Sequence, residues 1–469
     1  MKKATIFLLI VSLLSVTPVF VAAQSGGDLL IRNATVLTAS KGTLQGTDIL
    51  VQKGKITRIA KGITAPAGST VIDATGKFVT PGIIDAHSHT MISGGVNEGS
   101  LAVTSMVRIG DVLNPYDMAI YRGLAGGVTA ALILHGSANP IGGQSATVKF
   151  KFGRPVAEFP IEGAPPGIKF ALGENVKRSN FTPQPGQTFR YPRTRMGTME
   201  VIRDAFIRAR EYKQAWDDFR AKKTRVQPRV DEELQPLVEV LEGKRKVHCH
   251  GYRSDEHLNL LQLADEFGFR VGTLQHGLEA YKIAPEIAKH GAGVSIFADS
   301  WSYKLEAYDS IPYNAYILWK NGVVVSINSD SNERMRRLNL DAAKAMKYGG
   351  VPEQDALQMV TLNPAKQLGI DSRTGSIDVG KDGDLVIWSE HPFSPYSVAE
   401  TTIIEGQIYF DRKQDKARRA QLAQERETLE RLDQNRPPGS GGTPPRVPVE
   451  RQRGDLDHDD EDGDGGNDR

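Results

Sequence analysis

Two β-rich segments near the ends of the chain, with alternating strand and helix patterns between them, predict an α/β protein. The simplest arrangement is a small β-sandwich built from both ends and flanking one α/β domain. The first segment runs from Asp28 to Thr80. Leu29-Leu30-Ile31, Thr35-Val36-Leu37, Ile49-Leu50-Val51, Ile56 to Ile59 and Val71-Ile72 read as strands separated by Gly, Asn and Asp turns, with Lys53-Gly54-Lys55 as a hairpin signal. The second returns in Gly375-Ser376-Ile377, Asp384 to Trp388 and Thr402-Ile403-Ile404. A length of 469 residues leaves room for more than one domain, and 39% hydrophobic with 24% charged residues is the balance of a soluble globular protein. The formal net charge of +2 gives no reason to expect nucleic acid as a partner.

Residues Met1 to Ala23 have the form of a cleavable secretory leader: Lys2-Lys3, an apolar core from Ile6 to Leu14, then the small residues Val21-Ala22-Ala23. The apolar run is short for a membrane span and no second one follows, so the expectation is an exported protein without a stable span. The single cysteine, Cys249, cannot form an internal disulfide, which suits a bacterial periplasm or surface.

The chemistry begins at Val79-Thr80-Pro81-Gly82-Ile83-Ile84-Asp85-Ala86-His87-Ser88-His89. Gly82-Ile83-Ile84 reads as a buried strand, and residues two apart on a strand share a face. His87 and His89 therefore point the same way at the strand's C-terminal end, where two imidazoles can hold one metal ion. Ala130 to Leu134 is a second strand, followed by His135, read as a packing residue. The loop Ser137 to Gln144 follows a strand end, and its glycines permit close backbone approach, so Asn139 and Gln144 are candidate substrate contacts. Gly167-Ile168-Lys169-Phe170-Ala171 is a strand with a lysine inside it, which is costly to bury unpaired. Residues 178 to 241 exceed a normal connection and read as an insertion, helical from Thr198 onward, with Arg190, Arg193 and Arg195 as solvated surface. Lys246-Val247-His248-Cys249-His250, Phe269 to Gly277 with His276, and Val323 to Asp330 are further strand ends. His257 and His290 fall in helical stretches and read as structural.

The phrase from Val79 to His89 resembles the first barrel strand of the amidohydrolase superfamily. Val247-His248-Cys249-His250 is similar to its strand 5, Gln275-His276-Gly277 to its strand 6, and Ser329-Asp330 to its strand 8. Thr361-Leu362-Asn363-Pro364-Ala365 and Gly380-Lys381-Asp382-Gly383-Asp384-Leu385-Val386 match two further family phrases, the latter with glycine for the usual alanine. The resemblance covers about residues 28 to 411. It implies a (β/α)8 TIM barrel at 81–369 with the sandwich at 24–80 and 370–411; beyond it, composition reads a charged helical extension at 412–435 and a disordered tail at 436–469, rich in Pro, Gly and Arg and then acidic from Asp455.

It also implies two divalent ions, zinc first among the candidates. His87, His89 and Asp330 would hold one and His248 and His276 the other. Lys169, carbamylated by carbon dioxide, would bridge them, with Glu174 as its rival and His250 at the substrate. The implied reaction is hydrolysis of an amide-type C–N bond, linear or cyclic, in a small or dipeptide-like substrate. Asp330 takes the proton of the attacking water. Two alternatives stand beside it: a mononuclear deaminase or imidazolonepropionase-like cyclic-amide hydrolase, and a non-catalytic binding protein on the same scaffold. Homo-oligomerisation is left open.

Overall fold

The computed structural model describes residues 27–177 and 190–434. The segments expected to be a leader and a disordered tail lie outside them. The chain opens with β1 (Leu29–Leu37), β2 (Thr43–Gln52), β3 (Lys55–Ala60), β4 (Thr70–Asp73) and β5 (Phe78–Pro81). The barrel strands follow: β6 (Ile83–Ser88), β7 (Val128–Ile133), β8 (Ile141–Lys149), β9 (Gly167–Ala171), β10 (Lys246–Gly251), β11 (Val271–His276), β12 (Gly293–Ile296) and β13 (Val325–Ile327). The chain then returns through β14 (Leu385–Trp388), β15 (Ala399–Ile404) and β16 (Gln407–Asp411).

The two terminal segments join in one sheet of order β16-β15-β14-β5-β1-β2-β3, with β4 paired to β1. The joining pair is β14 antiparallel to β5, with Val386 opposite Thr80. The sandwich expected from the sequence thus reduces to a sheet built from both ends; the pairing is that of a single eight-stranded sheet. Its own core includes Leu29, Ile31, Val36, Ile49, Val79, Leu385 and Ile403.

The second sheet runs β6 to β13 in order, a barrel that is nearly closed. One strand departs from the uniformly parallel pattern expected: β8 is antiparallel to both β7 and β9. The connection from Ile133 to Ile141 is too short for a crossover helix, so the chain can only turn back on itself. Gln144, read as part of a loop, therefore lies on a strand. Between β13 and β6 the ladder is missing. That seam is bridged by single bonds, Ile84 N–H to the Val360 carbonyl (2.9 Å) and Asp330 N–H to the His87 carbonyl (3.3 Å).

Gly82 marks the passage from the terminal sheet into the barrel. A Cβ there would lie 2.0 Å from Thr129 Oγ1, so only glycine lets the two strands approach this closely. The insertion contains one long helix, Arg195–Arg220, whose stripe Ile202, Ala205, Phe206 and Ala209 is buried against the barrel. A second long helix, Arg412–Gln434, is charged and buries only Asp415. No helix among the described residues is long and apolar enough to cross a membrane.

Sheet and barrel are clamped by a buried charge cluster. Lys149, at the end of β8, places Nζ 2.6 Å from Asp382, 3.0 Å from Asp384 and 3.0 Å from Glu405. Burial opposes its charge, but the three carboxylates outweigh it and hold the ammonium above its ordinary pKa. Burial likewise pushes Asp382 up, and Lys149, Lys55 and Arg373 more than reverse this, leaving it below the ordinary carboxylate value. Lys149→Met is expected to destabilise by about 3–5 kcal/mol, because it strands buried carboxylates that lose their counter-ion. Thermal unfolding measures this; an unchanged melting temperature would show the cluster to be dispensable. Asp382 is depressed in the folded state, so its contribution is complete above about pH 4, its unfolded value, and is lost as acid carries the pH through the lower folded value.

Candidate metal centre

Strand periodicity puts His87 on β6 and His89 just beyond it on one face, at the barrel's C-terminal mouth. His87 is fully buried and His89 partly open. Each ring is oriented through Nδ1: His87 donates to Gln275 Oε1 (3.2 Å) and His89 to the Leu134 carbonyl (2.9 Å). Donation from Nδ1 leaves the lone pair on Nε2. The two Nε2 atoms stand 3.4 Å apart, and each is 3.4 Å from Asp330 Oδ1. A point at the centre of that triangle lies about 2.0 Å from each corner, the bond length that zinc makes to histidine nitrogen and carboxylate oxygen. The donor set therefore fits a divalent ion in size and chemistry.

Two corners of the wider site sit in unusual backbone. His276 ends β11 with φ +69, and Asp330 follows β13 with φ +46. Side chains rarely adopt this left-handed region, and such positions persist where surroundings hold them. His276 Nε2 is 3.6 Å from Asp330 Oδ2, and its ring centroid is 4.5 Å from that of His87. His87, His276 and Asp330 each offer a donor atom within 4.8 Å of the others.

Lys169 on β9 is 1% exposed, and its Nζ is 3.1 Å from His87 Nε2. Burial, and then the neighbouring Lys169 and His276, hold His87 well below the ordinary imidazole pKa, so it is a neutral donor at physiological pH. Glu174, the rival of Lys169, faces elsewhere: Lys304 Nζ is 3.5 Å from its carboxylate, and its N–H donates to Glu306.

On β10, His248 and His250 share a face but not a height. The His250 ring lies 4.8 Å from His276, whereas His248 packs where a Cβ on Gly167 would touch it, at 3.1 Å. The His250 ring is thus the one set beside His276, while His248, the expected ligand, packs against Gly167 of β9 with Lys169 among the charges near it. Burial, then Lys246 and Lys169, bring His248 down to about 3, and its Nδ1 has no partner among the described residues.

Asn139 and Gln144, expected at the substrate, serve the backbone instead. Asn139 is fully buried, with its Nδ2 2.7 Å from the Glu98 carbonyl, 2.9 Å from the Leu101 carbonyl and 2.8 Å from Thr104 Oγ1, three acceptors for its two hydrogens, while Gln144 donates to the Ser105 carbonyl (3.0 Å). Both pin the loop that follows His89. Arg190 reinforces the same loop through the Gly99 and Leu101 carbonyls. His135 accepts from the Glu98 N–H, and His290 from the Val271 N–H.

Sequence reasoning assigned no role to Gln275, Asp85 or Tyr252. Gln275 orients His87. Asp85 accepts hydrogen bonds from Ser329 and from the His87 N–H. Tyr252 stacks on His276 with centroids 5.4 Å apart at 18°, and Phe297 covers another side at 4.5 Å. A signal existed for Asp85: it lies two residues before His87 in a buried strand, hence on the same face.

The Amidohydrolase family model matches residues 244–414. Amidohydrolase tasK of Hapsidospora irregularis is 33% identical over 398 residues, 78% of this chain; the chain spans 40% of that relative's own length. The crystal structure of an amidohydrolase from Thermotoga maritima MSB8 is 37% identical with a TM-score of 0.75, covering 82% of this chain and 100% of that one. A prolidase crystallised with N-methylphosphonate-L-proline, 16% identical with a TM-score of 0.50 over 82% of this chain and 100% of its own, shares the fold. Identity at that level along the whole Thermotoga chain, on a barrel whose strand ends converge on His87, His276 and Asp330, makes this chain a member of the amidohydrolase superfamily.

Proposed function

We propose that this protein is an exported, metal-dependent hydrolase of an amide-type C–N bond in a small or dipeptide-like substrate. The observation that carries the metal dependence is the triangle of His87 Nε2, His89 Nε2 and Asp330 Oδ1 with edges of 3.4 Å. These three residues would hold one ion. His276 with His250 or His248 would hold a second, and Lys169, converted to its carbamate, would lie between them. When bound, such ions supply Lewis acidity, polarising a carbonyl and making water a nucleophile near neutral pH.

The chain's own residues do the rest. Gln275 and the Leu134 carbonyl fix the tautomers of His87 and His89. The Asp330 carboxylate accepts the proton of the attacking water and returns it to the departing nitrogen. Tyr252 and Phe297 wall the site with rings and limit water around His276. The Met1–Ala23 leader supports export.

Elemental analysis of the purified protein tests this reading, beside a panel of dipeptides, N-acyl amino acids and lactams. The expected result is about two divalent ions per chain and turnover of at least one class. About one ion per chain with deamination would favour the mononuclear alternative, and no turnover with a metal-free chain would sink the proposal. His250→Ala and His248→Ala decide the second site: the variant that falls to about one ion identifies the ligand.

A further inference from the structure

The barrel seam between β13 and β6 lacks a backbone ladder, yet it carries the corner of the metal triangle that comes from farthest along the chain. Asp330 sits just past β13 in left-handed backbone and must be set against His87 and His89 on the opposite edge. One fully buried carboxylate spans the gap. Asp85 lies one layer below His87 on the same face of β6. Its Oδ1 accepts the Ser329 N–H (3.1 Å) and the His87 N–H (3.3 Å), and its Oδ2 accepts the Ser329 hydroxyl. The Ser329 Oγ in turn accepts the Ser331 N–H at 3.2 Å. The residues on both sides of Asp330 are therefore tied, through one hydroxyl, to the strand that carries His87.

We propose that Asp85 is the positioning residue of the metal centre: through Ser329 it closes the barrel seam and holds Asp330 in the strained turn that completes the triangle. Asp85 binds no ion itself, since its oxygens are engaged by Ser329 and the His87 N–H. Three donors converge on one carboxylate, and charge-assisted bonds of this kind are roughly twice as strong as neutral ones. That is the device expected where a left-handed non-glycine residue must be over-determined by its surroundings. The inference rests on the metal-binding reading above for its consequence, but not for its geometry.

The test separates the two. Asp85→Ala, Asp85→Asn, Ser329→Ala and the double variant Asp85→Ala/Ser329→Ala are compared with the full wild-type chain, with zinc as the probe. The first readout is amide hydrogen exchange in metal-free protein, which needs no activity. Peptides covering Ser329 to Ser331 are expected to exchange at least about tenfold faster in Asp85→Ala and Ser329→Ala, with the strands β9 to β12 unchanged. The second is zinc affinity by chelator competition, expected to fall about 10–100-fold in the same variants. The double variant should fall little below Asp85→Ala, because the hydroxyl-to-carboxylate bond that Ser329→Ala removes is already lost there. Asp85→Asn keeps an acceptor for the two N–H groups and should fall in between. Unchanged exchange at Ser329 to Ser331, or full additivity in the double variant, overturns the proposal. Should Asp85→Ala fail to fold, Ser329→Ala, which leaves the carboxylate in place, decides the question in its stead. Faster exchange with no zinc bound even by wild type would keep the clamp and reject the metal reading.

Discussion

His87→Ala, His89→Ala and Asp330→Asn are each expected to lower kcat/KM by about three orders of magnitude or more. A metal ion contributes several kcal/mol of transition-state stabilisation, and each 1.4 kcal/mol is about tenfold in rate. The three donors sit at equal separations of 3.4 Å, so loss of one leaves two corners that cannot enclose an ion on their own. Asp330→Asn carries a second penalty, because an amide cannot take the proton of the attacking water. The controls are His257→Ala and His290→Ala. His257 is buried beneath β10 against Gly251, and His290 is spent on the Val271 N–H and Asp265. Both should retain most activity, with any loss appearing in the melting temperature. Steady-state kinetics and metal content on all five variants give the answer. Comparable loss across the five would remove any reason to single out the first three.

Lys169 should make activity depend on carbon dioxide. Its Nζ, itself buried, lies 3.1 Å from the buried His87 Nε2. A cationic ammonium there repels a metal ion, whereas its carbamate is an anionic oxygen donor in the same place. Metal-free protein in carbon-dioxide-depleted buffer should regain activity slowly with zinc alone, and faster when bicarbonate is added. Lys169→Ala should lose one of two ions and at least about two orders of magnitude in kcat/KM, the range of one well-placed electrostatic contact. Short carboxylates such as acetate or propionate should restore part of that loss by occupying the gap. Lys169→Arg should not be rescued, since a permanently charged guanidinium fills the space. Full activity and two ions in Lys169→Ala would reject the carbamate. The ion pair of Glu174 with Lys304 then makes Glu174 a poor substitute without rearrangement.

The strand ends were legible because period two is local. Once Ile83 and Ile84 read as buried strand, the common face of His87 and His89 followed; Lys169 stood out as a lysine inside an apolar strand, and its place at the site came from the family resemblance. The phrases around His276, Asp330 and Asn363 carried the superfamily, and with it the order of the donors along the chain.

Height and partnership were decided only by tertiary structure. His248 and His250 share a face by the same rule, so periodicity could not choose between them, and only the resemblance made His248 the ligand and His250 the substrate contact. The stagger of neighbouring barrel strands puts His250 beside His276 and leaves His248 against Gly167. Asn139 and Gln144 follow a strand end, where substrates are usually met, yet the segment turns back as an antiparallel strand and spends both amides on the carbonyls of the loop after His89. The sandwich expected from two separate β segments became one sheet, because β14 found an open edge on β5. Asp85 and Ser329, 244 residues apart, meet only when the barrel nearly closes. Local periodicity fixes which way a side chain faces. It carries no information on which distant backbone group will be there to receive it, since that depends on how the whole sheet curves.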